Sequence, residues 1–370
     1  MSFFSKKPNT TIGVDFGVGG VKLVELKVER GRAHLSTYAV MQGGWADLTD
    51  DVALLMGSMR GKDQKHVAEP ELKQMGAVLK QLVKKSRALG RSAVASIPAS
   101  AVFNVVMRMP RVPEKDFVSH ARDEATKLLP LPAEEMVLDF QTVGNGAPHK
   151  KGEESTNQRV LITATSRILV EEYTKIFQYA GLALSNLETE SFALIRALLG
   201  RDPAPAFVLD IGTVRTNLFV VSGGIPLIHR SINFGGQNFN TILKNVWGLD
   251  DVALIEQAKR DISSGLPGAE FPDRFKPILD PVVQEIKYHL ELCERGESNG
   301  CVRPEKIVLT GGSVLLLGLT QFLEQTFNIT TYIADPWARV IYPQALKPAL
   351  DAVGVRFAVA IGLAARASGG

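Results

Sequence analysis

Twice in this 370-residue chain an aspartate stands two positions ahead of a glycine, inside an apolar run that turns back on itself. The first copy reads Val14-Asp15-Phe16-Gly17-Val18-Gly19-Gly20-Val21-Lys22 and the second Leu209-Asp210-Ile211-Gly212-Thr213-Val214-Arg215-Thr216-Asn217. A glycine reversal offers backbone N–H groups with no side chain in the way, a setting that attracts phosphate oxygens. A carboxylate just before such a turn can hold a hydrated Mg²⁺ that bridges those phosphates, which makes Asp15 and Asp210 candidate metal contacts. Lys22 could add a point charge, and Thr213, Thr216 and Asn217 could donate hydrogen bonds. One hairpin of this kind is usually a plain β-turn. Two in register, with Asp210 answering Asp15, Gly212 answering Gly17 and Leu218 answering Leu23, argue for two similar domains in one chain.

A third glycine element, Thr310-Gly311-Gly312-Ser313, closes the apolar run Lys306-Ile307-Val308-Leu309. Backbone left bare at a strand end suits the close approach of a flat adenine ring, although a simple strand–helix turn has the same composition. Other phosphate motifs are absent. No G-x-x-x-x-G-K-[ST] occurs, and the run from Gly17 to Lys22 neither completes G-x-G-x-x-G nor leads into a helix.

These turns need strands to hold them. Residues 11–26 read as two short strands around the first turn, with a third near Ala33–Met41. Helical spacing follows at 71–89, where Leu72, Met75, Val78, Leu79, Leu82 and Val83 share a face. From 93 to 188 the pattern is strand–strand–helix–strand–strand–helix. Strands are expected near Ala93–Ile97, Val102–Met109, Met136–Val143 and Val160–Ala164, with helices near Glu114–Leu128 and Ile168–Ala180. Gly181 marks a helix stop, and the polar stretch 144–158 reads as a hairpin loop. A helical region spans about 238–298, and helices at 319–327 and 353–367 close the chain. The resulting division assigns 1–92, 189–205 and 340–370 to a first domain and 93–188 to an inserted small α/β subdomain. It assigns 206–247 and 302–339 to a second domain and 248–301 to a helical subdomain.

Hydrophobic residues at 45% and charged residues at 22% describe a globular chain, and its length calls for more than one compact core. A net charge of +3 points to no nucleic-acid partner. The densest basic patch, Lys84, Lys85, Arg87 and Arg91, reads as a solvated helix face. Cys293 and Cys301 are too few for a disulfide scaffold or a cysteine zinc site and point to a reducing compartment. No signal peptide opens the chain, and the apolar stretch 355–367 is too short to span a bilayer and is interrupted by Arg356 and Arg366. A cytoplasmic protein without a direct membrane span is expected.

Two phosphate hairpins, a later strand ending in Gly-Gly and linking helices form the signature of the actin, Hsp70 and sugar-kinase superfamily. Within it the chain resembles the PilM family of type IV pilus assembly. The resemblance rests on Ser96-Ile97-Pro98 through Val143, with its Met109-Pro110-x-x-Pro113-Glu114 step, the Leu129-Pro130-Leu131-Pro132 turn and the Val137-Leu138-Asp139-Phe140-Gln141 strand. It continues through Val160-Leu161-Ile162-Thr163-Ala164-Thr165-Ser166 to Leu198. It implies an actin-like ATPase fold: two duplicated ribonuclease-H-like domains with an inserted α/β subdomain.

The resemblance further implies ATP and Mg²⁺ in a cleft between the lobes. One phosphate group would lie on Asp15, Gly17, Gly19, Gly20 and Lys22, another on Asp210, Gly212, Thr213, Thr216 and Asn217. Ribose and adenine contacts would fall on Glu256 and Lys259, which a solvated helix pair would also explain, and on Gly311, Gly312 and Ser313. Glu190 matches the acidic position that could orient an attacking water, with hydrolysis slow or absent. The implied partner is the cytoplasmic N-terminal peptide of a PilN-like inner-membrane protein, received by the inserted subdomain, with other platform or motor components beyond it. The sequence departs from the family where Val18-Gly19-Gly20 follow the first glycine in place of small hydroxyl residues and where Ser313 stands in place of a third glycine. A filament-forming division actin of the FtsA type and a small-molecule kinase are the competing readings. The first lacks its C-terminal amphipathic helix here, and the second lacks a convincing substrate base.

Overall fold

The computed structural model describes residues 10–41, 66–143, 157–248, 251, 254–255, 273, 276–295, 302–315 and 318–368. The chain forms two compact units. The first comprises 1–200, 337–350 and 359–370, and the second 201–336 and 351–358.

In chain order the first unit begins with β1 (Thr10–Gly17), β2 (Gly20–Glu29), β3 (Arg32–Met41), α1 (Glu69–Ser86) and β4 (Ser92–Ile97). It continues with β5 (Val102–Pro110), α2 (Glu114–Thr126), β6 (Met136–Val143), β7 (Asn157–Ser166), α3 (Arg167–Ala180), β8 (Ala183–Thr189) and α4 (Glu190–Leu194), whose axis runs on as a π-helix over Ile195–Leu199. The second unit holds β9 (Ala206–Ile211), β10 (Thr216–Ser222), β11 (Ile225–Ile232), α5 (Gly236–Trp247), α6 (Lys276–Arg295), β12 (Lys306–Thr310), α7 (Leu319–Phe327) and β13 (Thr330–Ile333). The last elements are β14 (Val340–Ile341) and α8 (Lys347–Ala364).

The main sheet of the first unit has the order β14-β3-β2-β1-β4-β8 and that of the second β11-β10-β9-β12-β13. In both, three strands meander antiparallel and two more join in parallel on the far side of the first. The duplication expected from the paired hairpins is therefore a duplication of sheet topology. β1 and β9 are central strands; β1 buries Ile12–Phe16 without a break and β9 all but Asp210, which explains why their sequences are apolar runs rather than alternations.

α1 follows its sequence closely. Pro70 occupies its first turn beside Glu69 and Glu71, Lys84 and Lys85 occupy its last, and Leu72, Met75, Leu79, Leu82 and Val83 are buried along one stripe. α3 ends as anticipated at Gly181, at φ +74. Four strands, 183–189, 225–232, 330–333 and 340–341, are additional to those anticipated. β11 and β13 lie at sheet edges, and β8 is interrupted by Ser185, Asn186 and Glu188, so none shows a long apolar run.

The inserted subdomain is the sheet β5-β7-β6 covered by α2, with Met107, Met109, Ala121, Ala125, Val160 and Ile162 as its own small core. It is shorter than the expected span of 93–188. β4 is hydrogen-bonded into the main sheet, and α3 packs Leu169, Tyr173, Ile176 and Phe177 into the core of the first unit. Residues 157–158, expected in a loop, are the first residues of β7.

The helical stretch Gln344–Ala367, of which α8 is the main part, is long and apolar enough to cross a bilayer, yet most of its apolar segment is buried within the protein. Its packing against the first unit is close. A Cβ on Gly13 of β1 would lie 2.1 Å from the Ala360 carbonyl oxygen, and one on Gly362 would lie 1.9 Å from that of Ala193. Arg196 ties the same region together by donating to both oxygens of the buried Glu188 and to the Gly362 carbonyl at 2.7 Å. Cys293 in the last turn of α6 is disulfide-bonded, so the cysteine count alone does not argue for a reducing compartment.

Candidate functional site

In the first unit β1 and β2 pair residue for residue up to Gly17 opposite Gly20, leaving Val18 and Gly19 as the turn. Gly20 takes φ +124, a conformation open to glycine and costly for other residues. The register sets Asp15 directly opposite Lys22 on the same face. The Lys22 ammonium donates to Asp15 Oδ2 at 2.8 Å, and the Ser96 hydroxyl donates to Oδ1 at 3.1 Å. Both charged side chains are largely buried, at 14% and 8% exposure. The two groups assigned separately to phosphate and metal thus satisfy one another in this state. A Cβ on Gly17 would stand 3.3 Å from the Lys22 nitrogen, so the lysine lies across the bare turn.

In the second unit the loop Gly212–Arg215 closes with the Gly212 N–H donating to the Arg215 carbonyl at 3.0 Å. The start of α5 is docked onto this loop. Gly236 and Gln237 donate to the carbonyls of Gly212 and Thr213 at 2.9 and 2.8 Å, and Gly235 has Thr213 backbone 2.7 Å from where a Cβ would be. Thr213 is exposed. Thr216 is fully buried and its hydroxyl donates to the Phe234 carbonyl at 2.8 Å, so in this structure it serves the loop's own architecture. Asn217, opposite Asp210 in the β9–β10 ladder, is nearly buried.

The third glycine element joins this loop because β12 lies beside β9, with Thr310 opposite Asp210. Gly311 takes φ +96, and a Cβ there would meet Asp210 Oδ1 and the Ile211 carbonyl at 2.5 Å each. Ser313 donates from its backbone to Ile211 at 3.2 Å and from its hydroxyl to Gly212 at 3.3 Å. The hydroxyl that replaces a glycine thus pins the two glycine turns together. Asp210, Gly212, Thr213, Gly311, Gly312 and Ser313 form one cluster, whereas Thr216 and Asn217 stand behind it.

Three contributors escaped the sequence reading. Arg356 of α8 lies over the exposed Gly312, its Nε 3.7 Å from where a Cβ would be. His229 of β11 stacks on Phe219 with ring centroids 4.9 Å apart, and its Nε2 donates to Asn217 Oδ1 at 3.3 Å. Burial, then the charges of Arg230 and Arg215, push the His229 pKa down to about 4, so the ring is neutral at physiological pH. Ser96 is the third. Only the Gly235-Gly236 pair ahead of α5 carried a visible signal of the loop's support, because a helix start pressed onto backbone requires glycine.

Glu190 opens α4 and is buried, with Oε2 accepting the Ala99 N–H at 2.9 Å. Glu256 and Lys259 lie outside the described residues. No group of three or more His, Cys, Asp or Glu placed to hold a metal occurs among the described residues. Mg²⁺ is compatible with one or two protein carboxylates when phosphates complete its shell. Asp210, the exposed Thr213 hydroxyl, the bare backbone of Gly312 and the cations Arg215 and Arg356 are a donor set suited to a phosphorylated ligand with its counter-ion.

The family model described as Type IV pilus assembly protein PilM matches residues 13–368. Among solved structures, the PilM-PilN type IV pilus biogenesis complex is similar at 25% identity, with 97% of this chain and 98% of that chain covered and a TM-score of 0.74. Ethanolamine utilization protein EutJ from Carboxydothermus hydrogenoformans is 16% identical over 96% of this chain and 89% of that one, with a TM-score of 0.48. MreB5 of Spiroplasma citri bound to ADP is 14% identical over 96% and 94%, with a TM-score of 0.47. The last two likenesses are too distant to bear on function.

Proposed function

This chain belongs to the type IV pilus assembly protein PilM family, and from that premise we propose that it is a nucleotide-binding scaffold of a pilus-type assembly platform that holds the N-terminal peptide of a PilN-like membrane protein. The observation that carries this reading is the likeness to the PilM-PilN complex over nearly the whole of both chains. The inserted sheet β5-β7-β6 is the proposed receiver of the peptide, in an extended mode common to short peptide ligands. Attachment to the cytoplasmic side of the inner membrane follows through that partner.

ATP is the proposed cofactor, with Mg²⁺. Gly17, Gly19, Gly20 and Lys22 on the first hairpin, and Gly212 and Thr213 on the second, are the proposed phosphate contacts. Asp210 and Asp15 would face the metal, Asp15 after exchanging its bond to Lys22. Gly311, Gly312 and Ser313 would pass along the base, with Glu256 and Lys259 near the ribose. ATP would supply binding energy that differs between its triphosphate and diphosphate forms. The chain's own part is to bind and orient: Ser313 fixes the two turns of the second unit, His229 holds Asn217, and the Ala99 N–H holds the Glu190 carboxylate, the proposed orienter of water.

The test is isothermal titration of the purified chain with Mg·ATP and, separately, with a synthetic N-terminal peptide of the membrane partner, each repeated on Asp210→Ala. Saturable ATP binding lost in the variant, with peptide binding kept, is the expected result. ATP binding that survives Asp210→Ala would remove the second hairpin from the site. No ATP binding by the native chain, with peptide bound, would leave a nucleotide-independent scaffold. Failure to bind the peptide would overturn the scaffold reading.

A further inference from the structure

The end of the first unit remote from its glycine turn has a charge pattern that nothing above uses. β1 and β4 both start there, β2 ends there and β3 begins there. Arg30 and Arg32 flank the β2–β3 turn, Lys84 and Lys85 end α1, and Arg87 and Arg91 bracket the loop into β4. All six are exposed. None of the six is in an ion pair with another described residue. The acid beside them, Glu29, is paired to Lys27 at 2.6 Å. Lys84 and Lys85 suit the negative end of a helix dipole, but that accounts for neither the arginines nor what stands between them.

Between Arg87 and Arg91 the side chain of Leu89 projects into solvent at 79% exposure. It is held there by design of the loop rather than by looseness. Arg87 takes φ +58 to end α1, and the Ser86 hydroxyl accepts the Ala88 N–H at 3.3 Å. Glu25, buried at 1% exposure, accepts the N–H of Leu89 at 3.0 Å and that of Gly90 as well. A Cβ on Gly90 would lie 2.9 Å from that carboxylate. A buried carboxylate thus fixes the backbone on either side of a leucine whose side chain touches almost nothing.

We propose that this surface docks directly on an anionic lipid bilayer, with the six cations on the headgroups and Leu89 as the apolar tip that enters the acyl boundary. A rigid apolar residue ringed by cations is the pattern of peripheral membrane contact. Nucleic acid is the poorer match, because no Phe, Tyr or Trp stands between Lys27 and His34 or between Lys84 and Ala93 to stack a base. β1 spans eight residues from this end to Gly17, roughly 25 Å, so the docked surface leaves the first hairpin clear. The contact is additional to attachment through a membrane partner and does not depend on nucleotide.

The experiment is flotation of the purified chain, without partner protein, on vesicles of phosphatidylcholine alone and of phosphatidylcholine mixed with phosphatidylglycerol. The native chain floats with the anionic vesicles only, and added salt releases it. Arg87→Asn with Arg91→Gln lowers partitioning about 25-fold, at about fivefold per cation. Leu89→Ser lowers it about tenfold with the salt dependence unchanged. Lys84→Gln with Lys85→Gln serves should the arginine pair disturb the loop, and unchanged melting temperatures show that the variants fold. The proposal is overturned if the native chain stays with the unbound fraction or if the variants float as it does. It is equally overturned if Leu89→Ser binds like the native chain while a single-stranded oligonucleotide competes, which would make this a general polyanion surface.

Discussion

The Lys22 ammonium and the Asp15 carboxylate face each other across the first hairpin at 2.8 Å, with Ser96 holding the carboxylate's second oxygen. A ligand with its own phosphates and metal would have to redistribute these bonds. In Lys22→Met, Asp15 keeps only Ser96 at a nearly buried position, and a loss on the order of 2 kcal/mol in urea denaturation is expected. Asp15→Asn combined with Lys22→Met should cost less than the sum of the single changes by 1 kcal/mol or more, on the order expected for contacting residues. Additive losses would show that the pair does not form in solution.

Gly311 allows β12 to turn against Asp210. Gly311→Ala would place a methyl 2.5 Å from Asp210 Oδ1 on a backbone at φ +96. Strain and overpacking together should remove about 2–4 kcal/mol. Mg·ATP affinity should fall with it, whereas Gly312→Ala, whose nearest neighbour is the Arg356 stem at 3.6 Å, should leave stability nearly unchanged. Comparable melting temperatures for the two variants would contradict the close approach.

His229 makes a prediction about pH. Its folded-state pKa of about 4 lies below the ordinary 6.5, so the unfolded chain takes up the proton first as pH falls. The stabilisation is complete above pH 6.5 and is lost progressively toward pH 4. Between pH 6.5 and pH 5 the loss should be roughly 2 kcal/mol. His229→Gln should lack that portion of the acid sensitivity. Parallel urea curves for the two proteins at both pH values would place His229 in solvent.

Glu190 separates a structural from a chemical role. Glu190→Gln keeps an oxygen for the Ala99 N–H, so stability should change by less than about 1 kcal/mol, whereas Glu190→Ala also loses the acceptor and should cost about 1–3 kcal/mol. Any slow release of phosphate from ATP should fall in both. Phosphate release unchanged in Glu190→Gln would leave Glu190 as a structural acceptor alone.

The hairpins were legible because aspartate and glycine punctuate otherwise apolar runs, and matching them predicted two sheets of one topology. What lay hidden depends on strand order. Ser96 reaches Asp15 because β4 lies beside β1, and Gly311 reaches Asp210 because β12 lies beside β9. Thr216 reads as a donor for ligands, yet its hydroxyl donates to the Phe234 carbonyl. A strand of the main sheet and a strand of the three-stranded sheet, 92–97 and 102–110, follow each other with only a short turn between, so the sequence shows no break at that point. Glu25 holds the loop at Leu89 from a buried position, a contact that depends on β2 lying against residues 64 and 65 positions later in the chain.

The Gly13–Ala360 contact sets the order in which the protein can be made. Most of the first unit, its central strand included, is translated before the second unit, yet the helix that lies on that strand is translated after it. Synthesis therefore delivers the sheet long before its cover, and β1 must wait with an apolar face open while the sheet strands of the second unit are translated. Such a chain folds late and through non-local closure, and nascent fragments that stop short of α8 are the forms on which a chaperone would act.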